Sequence, residues 1–135
     1  MILEKIVFSF CSLFLGVLIS QPVLGQSSTV FDRIEKSINI GSTEAISQNM
    51  AEYVEIGWNE TKKNYDRKQA VIILKEFFSK NPPVEFEYIH KGSSKEGLLY
   101  SIGKYTSKNG FWRIYILVKE VKGSFLIDTM DFSKE

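Results

Sequence analysis

The chain is mostly helical in its hydrophobic period up to residue 80, with one strand-like stretch among the helices, and strand-like after it. In "STVFDRIEKSINI", residues 28–40, Phe31, Ile34 and Ile38 recur on one helical stripe, with Ser28 or Thr29 as N-cap and Gly41 as stop. "STEAISQNMAEYV" predicts a shorter second helix, capped by Ser42 or Thr43, that buries Ile46 and Met50. "YVEIGW", residues 53–58, reads as a strand, and "NETKKNY" turns the chain and returns it. A third helix over 66–80 carries the strongest local pattern. Asp66 and Gln69 form a capping box, and Ala70, Ile73, Leu74, Phe77 and Phe78 follow helical spacing. Asn81 and the Pro82–Pro83 pair end it.

From residue 84 onward the period falls to two. Four strands are predicted, roughly 84–91, 98–106, 111–119 and 124–132, with connections short enough for an antiparallel meander. The fold class expected is α+β, with N-terminal helices gathered on one face of a curved, mainly antiparallel sheet. Strand 111–119 lies inside that sheet and is apolar on both alternating sets. Trp112, Ile114, Ile116 and Val118 are expected under the helices, where burial is worth about 1.5–3 kcal/mol per large side chain. Phe111, Tyr115 and Leu117, interrupted by Arg113, form a second set too apolar to sit comfortably in water.

Residues 1–25 stand apart. A short charged start with Lys5, an apolar run from Ile6 to Ile19, Pro22 and "VLG" predict a secretory signal cleaved after Gly25. The run is too short to span a bilayer as a helix, so membrane contact is expected only through this leader. The product expected is a periplasmic or extracellular single domain, residues 26–135. Its only cysteine, Cys11, leaves with the leader, so no disulfide supports the fold. Lysine and arginine number 17 against 16 acidic residues, and this balance argues against nucleic acid as a partner. One histidine and no mature cysteine leave no legible metal site. No Gly-rich phosphate loop and no nucleophile elbow occurs, and no cofactor is expected.

The order helix–helix–hairpin–helix–meander resembles the nuclear transport factor 2-like (cystatin-like) superfamily, whose sheet curls around its helices into a cone. "LKEFFSKNPP", "IHKGSSKEG", "YSIGKYTSKNGFWRIY" and "FLIDTMDF" are similar to a family of small exported bacterial proteins known as domain of unknown function 4783. The resemblance covers about residues 28–133. The superfamily includes isomerases, dehydratases, hydrolases and non-catalytic binding domains, so the fold does not choose among functions.

Two residues are candidates for acid–base chemistry. His90 shares strand parity with Val84, Phe86 and Tyr88, and its imidazole suits a general base; the structural alternative is a histidine closing the strand end. Asp128 falls in the same set as Leu126, Met130 and Phe132, an apolar face on which a carboxylate must be wet, paired or protonated. In isomerase-like relatives an acid on the inner face shuttles protons. The alternatives are that Asp128 faces outward or pairs with Arg113. "KKNYDRK", residues 62–68, clusters cations around Tyr65 and reads as a solvated loop entering a helix rather than an anion site.

These residues support two readings. One is a non-catalytic binding module for a small apolar ligand or a protein partner, with Phe77, Phe78, Tyr88, Tyr100 and Asp128 lining the cone. The other is a small pocket-type lyase, isomerase or hydrolase using Asp128 and His90. The lack of a convincing acid–base pair favours the first. Phe111, Arg113, Tyr115 and Leu117 are the expected interface of a sheet-to-sheet homodimer, an association that the superfamily resemblance also implies.

Overall fold

A computed structural model describes residues 24–135, so all but the last two positions of the expected leader fall outside the described residues. Helix α1 (Leu24–Asn39) buries Val30, Phe31, Ile34 and Ile38. It starts upstream of the expected caps, so Ser28 and Thr29 lie within it. Its other end is a Schellman motif. Ser42 N–H reaches Ser37 O, Gly41 N–H reaches Ile38 O, and Gly41 takes the left-handed φ of +66° that this closure needs.

Helix α2 is short, Thr43–Ser47, with Ser42 accepting from Ala45 N–H as N-cap. Met50 is buried as expected but opens strand β1 (Met50–Trp58) rather than ending a helix. The chain is drawn into the sheet just before it, where Asn49 O accepts from Ile127 N–H. Strand β2 (Thr61–Asp66) completes a hairpin with β1. Helix α3 (Arg67–Lys80) carries the expected capping box and buries Ala70, Leu74, Phe77 and Phe78. Strands β3 (Pro83–Ser93), β4 (Leu99–Ser107), β5 (Gly110–Val121) and β6 (Ser124–Lys134) form the meander. The sheet order is β2-β1-β6-β5-β4-β3, and only the β1–β6 pairing is parallel. Strand β5 therefore lies inside the sheet, and its Ile114, Ile116 and Val118 are fully buried on the helical side.

One side chain ties α1 to the free edge of the sheet. Asn39 Oδ1 accepts from Phe86 N–H at 2.8 Å, and its Nδ2 donates to Phe86 O at 2.9 Å and to Glu35 O. Strand β3 is an edge strand, so Asn39 stands in for the missing neighbour at that point.

Three single-residue bulges decide which residues face the helices. The β3–β4 register skips Val84 and Ile89, and the β6 register skips Asp128 against both β5 and β1. Each skipped residue reverses the alternation beyond it. In β6, Phe125 and Ile127 point inward before the bulge, and Met130 and Phe132 do so after it. The strict alternation that grouped Asp128 with Met130 and Phe132 is broken at Asp128 itself.

Candidate functional site

The inner side of the sheet closes on aromatic residues at the C-terminal end of α3. Phe77 is the hub: its ring centroid lies 4.8–5.5 Å from those of Trp58, Phe78, Tyr105, Trp112 and Phe132. Trp58, at the end of β1, stacks on Phe132 at 4.4 Å and meets Trp112, from the start of β5, edge to face. Tyr105 donates its hydroxyl to Asn81 O, which fastens the C-cap of α3 to β4, and burial pushes that hydroxyl above its usual range. The packing fills the centre of the cone.

At the rim of this cluster a pocket of about 340 Å³ remains. Trp58, Ile73, Phe77 and Trp112 supply its apolar wall, and Glu76, Lys80 and Asn81 supply a polar edge. Glu76 and Lys80 neutralise each other at 2.8 Å, and the lysine holds the Glu76 carboxyl below its usual range. The edge therefore presents no unpaired charge to the pocket. Trp112 Nε1 is buried without a hydrogen-bond partner among the described residues. The Trp112 ring itself meets Trp58 and Phe77 edge to face, a favoured arrangement of aromatic pairs.

The expected lining residues divide between the two faces of the sheet. Phe77 and Phe78 are inside, as is Tyr88, whose hydroxyl donates to Phe31 O at 2.6 Å. Burial, reinforced by Glu35 and Asp32, pushes the Tyr88 hydroxyl well above its usual range, so it remains a neutral donor. Tyr100 and Asp128 are on the outer face and cannot share a pocket with Phe77. Tyr100 is opposite Leu117 in the register and stacks on Tyr115 at 6.0 Å. Asp128 sits on the β6 bulge, where Lys119 Nζ lies 2.8 Å from one carboxylate oxygen and the Thr129 hydroxyl donates to the other. Arg113, the partner considered for Asp128, instead pairs with Glu135 of its own chain at 2.8 Å.

His90 is also moved by a bulge. Ile89 is skipped, so His90 lies opposite Ile102 on the outer face, away from Phe86 and Tyr88. Its Nε2 is 3.1 Å from the Tyr100 hydroxyl. His90 and Asp128 thus occupy different strands with separate partners, and no acid–base pair is assembled from them. The half-buried Lys119–Asp128 pair sits at the open surface of the sheet, and Asp128→Asn should change stability by about 1 kcal/mol or less. Thermal melts near neutral pH check this, and a larger loss would mean that the carboxylate is shielded from water on the bulge.

A second acidic residue, not singled out by sequence, has the more built environment. Asp131 faces Tyr115 across the register, its Oδ2 is 3.1 Å from Lys62 Nζ, and its Oδ1 is buried without a donor. Gly57 makes room for it, because a Cβ at that position would overlap Oδ1. Burial first and the Asp131 charge second raise the Tyr115 hydroxyl, while the hydrogen bond to Asp131 raises the Lys62 ammonium. Lys62, Asp131, Tyr115, Tyr100 and His90 form a row across the outer face. It lies on an open sheet surface that does not exclude water, as acid–base catalysis commonly requires. Within "KKNYDRK", Lys62 is committed to Asp131 and Glu55, and Arg67 donates to Met50 O.

The helices-first order, the curved six-stranded sheet and the aromatic-filled cone define an NTF2-like domain. A protein of this class from Silicibacter pomeroyi DSS-3, of unknown function, shares the fold with a TM-score of 0.61 at 7% identity, over 84% of this chain and 96% of that one. Within the class, the chain belongs to the family described as Domain of unknown function (DUF4783), whose model matches residues 31–133. A DUF4783 family protein from Bacteroides ovatus ATCC 8483 superposes with a TM-score of 0.73 at 25% identity, covering 76% of this chain and 93% of that one. A second, from Bacteroides fragilis YCH46, gives 0.73 at 24% identity, over 76% and 96%. No curated protein matches the chain.

Proposed function

We propose that the protein is an exported, non-catalytic binding module that takes a small apolar ligand between Trp58, Phe77 and Trp112. The observation that carries this reading is the open aromatic pocket at the end of a cone whose centre is filled by side chains. Its wall is apolar and its few polar groups sit at the edge, the usual composition of a small-molecule site. The separation of His90 from Asp128 supports binding rather than turnover. The chain contains two tryptophans, and both line this pocket, so intrinsic fluorescence reports on it directly. Titration with n-octanol should give a saturable blue shift of the emission, and Ile73→Glu, which places a charge on the pocket wall, should abolish it. An emission spectrum unchanged at the solubility limit of the alcohol would remove the reading.

The same module works as a homodimer joined through its outer face. Tyr100, Ile102, Tyr115, Leu117 and Leu126 are half-buried there, and Phe111 is 45% exposed with Lys104 over its ring. Lys62–Asp131, Lys119–Asp128 and Arg113–Glu135 pair six of the charges on this face within one chain. Six strands about 4.8 Å apart and about 30 Å long offer roughly 700 Å² per copy, close to the roughly 800 Å² of a standard interface. Sedimentation at micromolar concentration should find a dimer that Leu117→Arg converts to monomer; a monomeric native chain would contradict this.

A further inference from the structure

A second pocket, also of about 340 Å³, lies at the opposite end of β5 from the tryptophans. Three separate segments build it: Arg33 from α1, Gln48 and Asn49 from the link between α2 and β1, and Ser124, Phe125 and Leu126 from the start of β6. The β5–β6 turn closes one side, with Lys122 and Gly123 both at positive φ. The tryptophan pocket has its lysine paired with Glu76, whereas this one has an exposed arginine, Arg33, in its lining.

Asn49 is the fixed point of the site. It is 7% exposed, and its backbone N–H donates to Ile46 O while its carbonyl accepts from Ile127 N–H. Its Nδ2 donates to Ala45 O. These bonds leave Oδ1 in one orientation, where it accepts from Arg33 Nε at 3.0 Å. A guanidinium held by Nε can present its outer edge, Nη1 and Nη2, to two oxygens at once, and among the described residues no ion pair occupies that edge. The Ser124 hydroxyl and the Gln48 amide add polar groups around the same space. Phe125, which points inward, provides an apolar wall beside it.

We infer that this pocket binds the oxyanion head of a small organic acid, with Arg33 as its bidentate anchor and Phe125 against its body. The shared chemistry is a compact group with two or more anionic oxygens, a carboxylate or a phosphate. Neither the tryptophan pocket nor the dimer enters this argument.

The test is an NMR titration of the protein at constant ionic strength with acetate, inorganic phosphate and, as a neutral isostere, acetamide. Saturable shifts of the Arg33 Nε–H, the Asn49 side-chain amide and the Gly123 and Ser124 amides are expected with an anion and not with acetamide. The tighter anion identifies the head as carboxylate or phosphate. Arg33→Gln should weaken binding about tenfold or more, the range for a charged hydrogen-bonding pair. Arg33→Lys, which keeps the charge and loses the fork, should fall between the two. Shifts that rise linearly without saturating, equal binding of acetamide, or undiminished affinity in Arg33→Gln would overturn the inference. Should Arg33→Gln fail to fold, native affinity in Arg33→Lys would overturn it equally.

Discussion

Phe77→Ala is expected to destabilise the protein by about 3–5 kcal/mol, the range for truncating a well-packed core phenylalanine. Phe77 is 5% exposed and touches five other rings, so its removal leaves a void that rigid aromatic neighbours cannot collapse to fill. A domain of this size has roughly 5–15 kcal/mol of stability in all. Urea denaturation should show the midpoint falling by roughly 2 M with the slope unchanged, for a slope of about 1–3 kcal/mol/M. A loss below about 1 kcal/mol would mean that the cone is loosely packed at its centre, and the open pocket would then extend inward past Phe77.

Asn39→Ala should cost about 2–3 kcal/mol although it removes little apolar surface. The side chain bonds both the N–H and the C=O of Phe86, and each backbone group left without a partner costs roughly 1–3 kcal/mol when water cannot replace it. The effect should be local as well as global. In native-state hydrogen exchange the Phe86 amide should lose protection, because its acceptor is Asn39 Oδ1. Asn39→Asp should keep an acceptor for Phe86 N–H but not restore the stability, since its carboxylate repels Phe86 O. Unaltered exchange at Phe86 in the alanine variant would show that β3 is held by other means.

What the sequence made legible follows from how locally each feature is encoded. The capping box at Asp66 and Gln69, the stop at Asn81, and the burial of Phe31, Ile34, Ile38, Leu74 and Phe77 all rest on spacings within one element. The inward set of β5 was legible for the same reason. The faces of Asp128 and His90 were not, because period-two alternation carries no mark of a skipped residue. One bulge at Ile89 and one at Asp128 moved both candidates to the other side of the sheet. The pairing of Trp58 with Trp112 was hidden differently, since it depends on β6 lying parallel to β1 and bringing together strands far apart in the chain. The one available hint was that both tryptophans sit at strand ends, where amphipathic rings line openings. Asn39 gave no signal, because an asparagine near a helix end reads as a terminator and not as a strap to a strand edge.

The binding site rests on both indoles lying in one pocket, and their ring N–H groups can be observed singly. In the nitrogen–proton spectrum of labelled protein, addition of n-octanol should move the Trp58 and Trp112 indole resonances together, along one saturation curve shared with the Ile73 and Lys80 amides. If both indole resonances stay fixed while n-octanol saturates resonances elsewhere on the protein, the pocket between Trp58, Phe77 and Trp112 is not its binding site.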